Sequence, residues 1–186
     1  MPTEKEKMLH QQAYFAFDAE LTRERDAAHR QCHRYNASPG CTPQKLEPLL
    51  AGFGHIGKNA YIEPPFFCDY AYNLHFGDNV YLNYGCVILD GAKVTLGNGV
   101  KLGPQVQIYT ASHPIEAQLR ASGEEYAHEI TVGDGVWIGG SSILLPGVSI
   151  GANTVIGAGS VVTKSLPANV VAFGNPCRVS REIDNS

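Results

Sequence analysis

His113 lies in Tyr109-Thr-Ala-Ser-His-Pro114. An imidazole near its ordinary pKa is the natural general base at neutral pH. The proline that follows restricts the backbone of His113 and helps fix its ring. No short histidine pair follows residue 50, so the spacing does not predict a three-histidine zinc site. The five cysteines, Cys32, Cys41, Cys68, Cys86 and Cys177, are odd in number and form no C-x-x-C pair. That pattern reads as reduced thiols in a cytoplasm, not as a disulfide framework or zinc site. Only seven Lys and Arg follow residue 50, and Lys164, Arg178 and Arg181 fall within the last 23 residues. A cationic group of that size suits a single anionic ligand.

The composition bounds what these residues can belong to. The chain has 186 residues, 14 Lys+Arg against 18 Asp+Glu, and a net charge of −4. One principal domain fits that length. Mild acidity argues against a nucleic-acid binder, which carries a basic stripe. No stretch of about 18 apolar residues predicts a membrane span, and the charged N-terminus, MPTEKEKMLHQQ, lacks a signal core. Nineteen of the 20 glycines follow residue 50, whereas 14 of the 32 charges precede residue 51. This shift divides the chain into a helical N-terminal segment (1–54), a repetitive body (55–171) and a C-terminal tail (172–186). In the first segment, helices are predicted over 3–17, 19–36 and about 43–52. Asn36-Ala-Ser-Pro-Gly40 should stop the second, and Thr42-Pro43 should cap and start the third.

The body repeats every six residues. Val132, Ile138, Leu144, Ile150, Ile156 and Val162 keep that spacing without error, and four residues after each stands Val136, Ser142, Val148, Thr154, Ser160 or Leu166. A six-residue unit is a short strand plus a corner, and three units close a triangular coil. Stacked coils pair their strands in parallel around a column of inward aliphatics, with glycine permitting the corner backbone. A corner phrase recurs at Ile56-Gly-Lys-Asn-Ala60, Phe76-Gly-Asp-Asn-Val80, Leu96-Gly-Asn-Gly-Val100, Val132-Gly-Asp-Gly-Val136 and Ile150-Gly-Ala-Asn-Thr154. Within the 36-residue step from 96 to 132, positions 114, 120 and 126 are Pro, Arg and Tyr. Residues 109–131 are therefore predicted to leave the coil as a loop, and long loops on a rigid scaffold usually carry function. His113 stands where that loop departs. Glu124-Glu125-Tyr126 within it reads as a solvated acidic run. Trp137, the sole tryptophan, takes the outward position before Ile138.

Four motifs in order carry a resemblance: Asn83 in Tyr81-Leu-Asn-Tyr-Gly-Cys-Val-Ile-Leu-Asp90, the Thr-Ala-Ser-His-Pro loop, Val136-Trp-Ile-Gly-Gly140, and Gly174-Asn-Pro-Cys-Arg-Val179. Over nearly the whole chain the sequence resembles the maltose/galactoside O-acetyltransferases, which include nodulation sugar acetyltransferases. The resemblance implies an all-β solenoid, the left-handed parallel β-helix of hexapeptide repeats. It implies acetyl transfer from acetyl-CoA to a sugar hydroxyl, without a metal, by a cytoplasmic homotrimer with sites between subunits. His113 would be the base, Asn83 would hold the acceptor hydroxyl, and the Gly140 N–H would stabilise the oxyanion. Asp18, Tyr81 and Asp90 would contact the acceptor. Trp137, Gly140, Ser142, Ala158, Gly159, Thr163, Lys164, Arg178 and Arg181 would line the coenzyme track. Cys86 and Cys177 are packing thiols. Gly91 stands where galactoside enzymes carry a second carboxylate, so the acceptor is either a maltose- or glucose-like sugar or another small or xenobiotic alcohol. A non-catalytic scaffold would need none of Asn83, His113, Trp137 and Lys164.

Overall fold

The computed structural model describes residues 1–37 and 40–184. From His55 onward the chain winds through three parallel faces, always in the order A, B, C. Face A stacks His55–Ile56, Leu74–Phe76, Val94–Leu96, Ile130–Val132 and Ser149–Ile150. Face B stacks Tyr61–Ile62, Tyr81–Leu82, Lys101–Leu102, Trp137–Ile138, Val155–Ile156 and Val170–Phe173. Face C stacks Phe66–Cys68, Cys86–Leu89, Gln107–Tyr109, Ile143–Leu144 and Val161–Val162. The six aliphatics at the hexad positions are at most 2 % exposed and form the axis of one continuous core. Four residues on, Ser142, Thr154 and Ser160 also point inward at 0 % exposure. Ser142 Oγ donates to Gly157 O at 3.1 Å and Thr154 Oγ1 to Pro167 O at 2.7 Å, both on the next coil, while Ser160 Oγ donates to Gly157 O of its own corner.

The corner phrase divides its labour differently from the sequence reading. The glycine directly after the aliphatic is required by close approach, not by its dihedrals: a Cβ on Gly139 would lie 2.5 Å from Ala158 N of the next coil. The left-handed position comes two residues later, at Asn59, Asn79, Gly99, Gly135, Asn153 and Asn169, with φ between +58° and +67°. Asparagine and glycine are the residues that tolerate that region. Between them, the side chains of Asp78, Asn98 and Asp134 accept the amides of Lys58, Asp78 and Asn98 at 2.7–2.8 Å, tying each A–B corner to the preceding coil.

The N-terminal segment covers the open end of this coil stack. α1 (Glu4–Leu9) begins at a capping box between Thr3 and Glu6, and α2 (Ala19–Asn36) and α3 (Pro43–Leu50) follow. Thr42 precedes α3 without a side-chain cap. The helix predicted over 3–17 stops at Leu9. Gln11 is left-handed at φ +57°, and Tyr14–Phe15 forms a strand with a partner more than 100 residues away. α2 ends at Asn36 as predicted, while Ser38 and Pro39 of the proposed stop lie outside the described residues. The Asn36 amide bonds both main-chain groups of Phe66 at 2.9 Å, and the Tyr35 hydroxyl donates to Ile62 O. Exposed first-coil strands would otherwise be sticky edges.

At the other end, Arg178–Glu182 is not a loose tail. It pairs antiparallel with Val170–Phe173 and closes face B. The predicted loop is narrower than 109–131, because Tyr109 and Ile130 belong to coil strands. It is also structured: Ala111–Ser112, α4 (Ala117–Ser122) and Glu124–Ala127 fold back on one another.

Candidate active site between coil corners

His113 belongs to the C–A corner. The excursion is pinched at its neck, where His128 N donates to Thr110 O at 2.9 Å. Thr110, fully buried, donates its hydroxyl to Leu89 O at 2.7 Å and accepts the Ala92 amide at 3.0 Å. Beyond the neck, Glu124–Ala127 is the middle strand of an antiparallel sheet, flanked by Tyr14–Phe15 and Ala111–Ser112. The pairs Ala111 with Ala127 and Ser112 with Tyr126 bring the chain to His113, one residue past the ladder and in register with Glu125. Glu125 pairs on its other side with Tyr14, whose hydroxyl donates to it at 3.2 Å. His113 itself is exposed. The acidic run is thus a strand, and its partner Tyr14 was invisible in sequence because the predicted helix covered it.

Asp90 occupies the same corner and cannot meet an open cleft. It is 0 % exposed, and its Oδ1 accepts the amides of Asp69 and Tyr70 at 2.9 and 2.8 Å. Its Oδ2 has no hydrogen-bond partner. Burial pushes its carboxyl up to about 7, against the two amides that favour the anion. Asp90 holds the corner rather than an acceptor. Asp18 likewise serves the fold: it is the N-cap of α2, accepting Glu20 N and Leu21 N at 2.9 and 3.3 Å. Thr163 and Lys164 are exposed on the C–A corner further along the stack.

Asn83, Gly140, Ala158 and Gly159 gather on a different edge, the B–C corner. Each coil there is bonded to the next: Gln105 N to Tyr84 O at 2.7 Å, Ser141 N to Pro104 O at 2.8 Å, Gly159 N to Gly140 O at 2.9 Å. Among the described residues the Gly140 N–H donates to no protein acceptor, which leaves it free for a ligand. Asn83 Oδ1 accepts the Tyr84 amide at 2.8 Å, leaving its Nδ2 free to donate. Tyr81 starts the strand leading to Asn83 and stacks on Tyr61 at 5.8 Å. Burial raises its hydroxyl pKa. Lys101 separates it from Trp137 in the register of face B. Trp137 is 54 % exposed, outward as predicted. Ser142 corrects the sequence reading: at 0 % exposure its hydroxyl is engaged inside the coil, so it lines no track. On the terminal strand, Arg178 stands opposite Phe173 at the B–C end of face B, whereas Arg181 stands opposite Val171, towards the A–B end. Cys86 and Cys177 are buried, and burial pushes the Cys86 thiol up to about 11. Among the described residues, no three His, Cys, Asp or Glu side chains form a metal-binding group.

Residues 129–164 match the bacterial transferase hexapeptide family, six repeats, and residues 7–57 match the maltose acetyltransferase hexapeptide capping motif. A galactoside O-acetyltransferase of Lactococcus lactis is 42 % identical, over 97 % of this chain and 88 % of its own length. The chain belongs to the maltose/galactoside O-acetyltransferase family. It is an acetyltransferase. A crystal structure of a maltose O-acetyltransferase from Clostridium difficile 630 superposes with a TM-score of 0.96 at 49 % identity, covering 99 % of both chains. A galactoside acetyltransferase in complex with coenzyme A superposes at 0.94 and 40 % identity, covering 100 % of this chain and 92 % of that one. The coil stack is thus the left-handed β-helix of this family, with about six turns. One residue beside His113 surfaced only in three dimensions: Tyr14, 111 positions from the Glu125 it bonds, is marked by no local motif, whereas Glu125 stood in the acidic run.

Proposed function

We propose that this acetyltransferase moves an acetyl group from acetyl-CoA directly to a hydroxyl of a sugar, at sites shared between the subunits of a homotrimer. His113 takes the hydroxyl proton as the oxygen attacks the thioester carbonyl. The Gly140 N–H stabilises the oxyanion of the tetrahedral intermediate. Collapse expels the coenzyme thiolate, which takes the proton back from the imidazolium. No acyl-enzyme is needed, since the thioester is already activated. The Asn83 amide donates to the acceptor, Trp137 packs along the pantetheine arm, and Thr163, Lys164, Arg178 and Arg181 meet the phosphates.

One observation carries the reading: the base and the oxyanion donor occupy different corners of one coil stack. Asn83 precedes and Asp90 follows the four-residue face-C strand Cys86–Leu89, which alone spans about 13 Å. One protomer therefore presents two half-sites, and a neighbouring copy completes each. Mixing tests this. His113→Ala and Asn83→Ala homotrimers should each be nearly inactive. Co-refolded in equal amounts, they should recover about a quarter of wild-type turnover, since each shared site draws one residue from each neighbour. No recovery would overturn the shared site.

The acceptor has a second reading, an alcohol other than a sugar. A Cβ on Gly91 would lie 3.2 Å from the Tyr14 hydroxyl and 3.3 Å from Ala127 Cβ, so a second carboxylate like that of galactoside enzymes would crowd Tyr14 and Ala127. The exposed side chains of Phe17 and Ile115, 83 and 89 % accessible, add apolar surface on the N-terminal segment and the excursion. Thiol release from acetyl-CoA with maltose, glucose, galactosides and chloramphenicol-like alcohols decides between the two. Maltose or glucose should give the fastest release, and release with the xenobiotic alone would replace the sugar reading.

A further inference from the structure

α2 crosses the first strand of face C so closely that Cys32 Sγ lies 3.6 Å from Cys68 Sγ. Both side chains are almost fully enclosed, at 3 and 2 % exposure. They nevertheless line a cavity of about 510 Å³ together with His29, His33 and Asp69. Such a cavity gives a small oxidant access to both sulfurs. The pair is asymmetric. The S–H···S hydrogen bond between them lowers the Cys32 thiol from its ordinary value, while that bond and burial raise Cys68 well above its own. Neither residue takes part in the acetyl transfer proposed above, and this inference stands independently of that reading.

We propose that Cys32 and Cys68 form a modification site, a dithiol that small hydroperoxides close to an intramolecular disulfide. The Cys32 thiolate attacks the distal peroxide oxygen, breaking the O–O bond and leaving a sulfenic acid on Cys32 and an alkoxide or hydroxide. The Cys68 sulfur then attacks the Cys32 sulfur and displaces hydroxide, which leaves as water with the Cys68 proton. The balance is two thiols and one hydroperoxide to one disulfide, one alcohol (or water) and one water. The sulfurs must close from 3.6 Å to about 2.05 Å. Rotation of the two side chains and a small shift of α2 supply that distance. The bond would enclose the chain between residues 32 and 68, which contains α3 and the first strands of the coil. A closed loop of this length constrains the unfolded chain, so the oxidised protein should melt at a higher temperature than the reduced one. In a reducing cytoplasm the thiols are the resting state, and the disulfide forms under peroxide load.

Cys41 is the internal control. It is half-exposed, and among the described residues no second sulfur contacts it. The test treats the full-length native protein with graded hydrogen peroxide, quenches with an alkylating agent in denaturant, and maps peptides. Expected is a mass loss of about 2 Da with one cross-linked Cys32–Cys68 peptide, reversed by dithiothreitol. The alkylatable thiols fall from five to three. Loss of Cys32 should outpace loss of Cys86 or Cys177 by at least about tenfold. Cys32→Ser and Cys68→Ser, checked for native circular dichroism, should each abolish the cross-link. The proposal is overturned if Cys41 oxidises first, if Cys32 runs on to sulfinic acid without a link, or if the disulfide forms only in unfolded protein.

Discussion

The B–C and C–A corners of the coil stack are built from the same six-residue unit yet do opposite things. On the B–C corner every coil runs straight through, and the stacked amides and carbonyls from Tyr84 to Gly159 are bonded coil to coil at 2.7–2.9 Å. Nothing protrudes there except what the period allows, and the product is a fixed backbone donor at Gly140. On the C–A corner the chain breaks the period between Thr110 and His128, which remain bonded to one another at the neck. The break carries out a histidine, held by a sheet that borrows a strand from the N-terminal segment. Regular stacking yields a preorganised N–H with no side-chain entropy to lose. A titratable side chain needs a departure from the stack, and the departure needs its own support.

Removing the base should break this contrast most severely. His113→Ala is expected to lose about 10²–10⁴-fold in kcat, measured by thiol release, while coenzyme binding by calorimetry stays unchanged because the B–C corner is untouched. Turnover within threefold of wild type would move the base elsewhere and leave the excursion a structural element.

A second prediction concerns the C–A corner beneath the excursion. Asp90 is raised to about 7 by burial, against an ordinary value near 4 in the unfolded chain. The folded state therefore holds a proton that the unfolded state has released. Stability is highest below about pH 4 as far as this group is concerned, declines as pH rises from about 4 to about 7, and is flat above. The slope has an upper limit of about 1.4 kcal/mol per pH unit. Neighbouring Asp69, itself raised by burial but paired with His29 at 3.4 Å, titrates in the same direction and reinforces it. Asp90→Asn keeps an acceptor for the two amides and removes the proton linkage. Its melting temperature should vary less between pH 5 and 7 than that of wild type, and an unchanged slope would show that Asp90 does not titrate there.

The coil was legible because it is local in period: six positions recur, and burial follows from the recurrence. The placement of side chains on the coil was legible where it follows the same phase: Trp137, one residue before an inward Ile138, is outward as the period requires, and Gly140 comes two residues after Ile138 on the B–C corner. Assignments failed where a side chain answers to a neighbour far away in sequence. Asp90 looked like a pocket carboxylate, but the amides of Asp69 and Tyr70 had already taken it inward. Asp18, expected at the acceptor, also caps α2 through Oδ1, a role visible only once α2 begins at Ala19. Tyr14–Phe15 reads as the end of a helix until Glu124–Ala127, brought back by the excursion, supplies its ladder. Ser142 failed for the reverse reason. It holds a repeat position whose inward direction the period itself dictates.

The smallest effects separate two glycines of the B–C corner that composition treats alike. Gly139 has an ordinary φ, but a Cβ there would lie 2.5 Å from Ala158 N and 2.9 Å from Gly157 C, all of it main chain. Backbone cannot rotate aside, so Gly139→Ala must push two coils apart, an overpacking cost of about 1–3 kcal/mol. Gly159 is the converse case, with φ +71° and nothing within 4 Å of the added carbon. Gly159→Ala meets only the intrinsic strain of a left-handed alanine, about 1 kcal/mol, and leaves the coil spacing alone. Denaturant midpoints should therefore fall for both, more for Gly139→Ala. The drop in kcat should be confined to Gly139→Ala, because it shifts the chain on which the neighbouring Gly140 N–H is carried, whereas a methyl on Gly159, on the coenzyme track, should act through KM for acetyl-CoA. Equal losses of kcat in the two variants would mean that the donor's position is not set by the packing of one coil on the next.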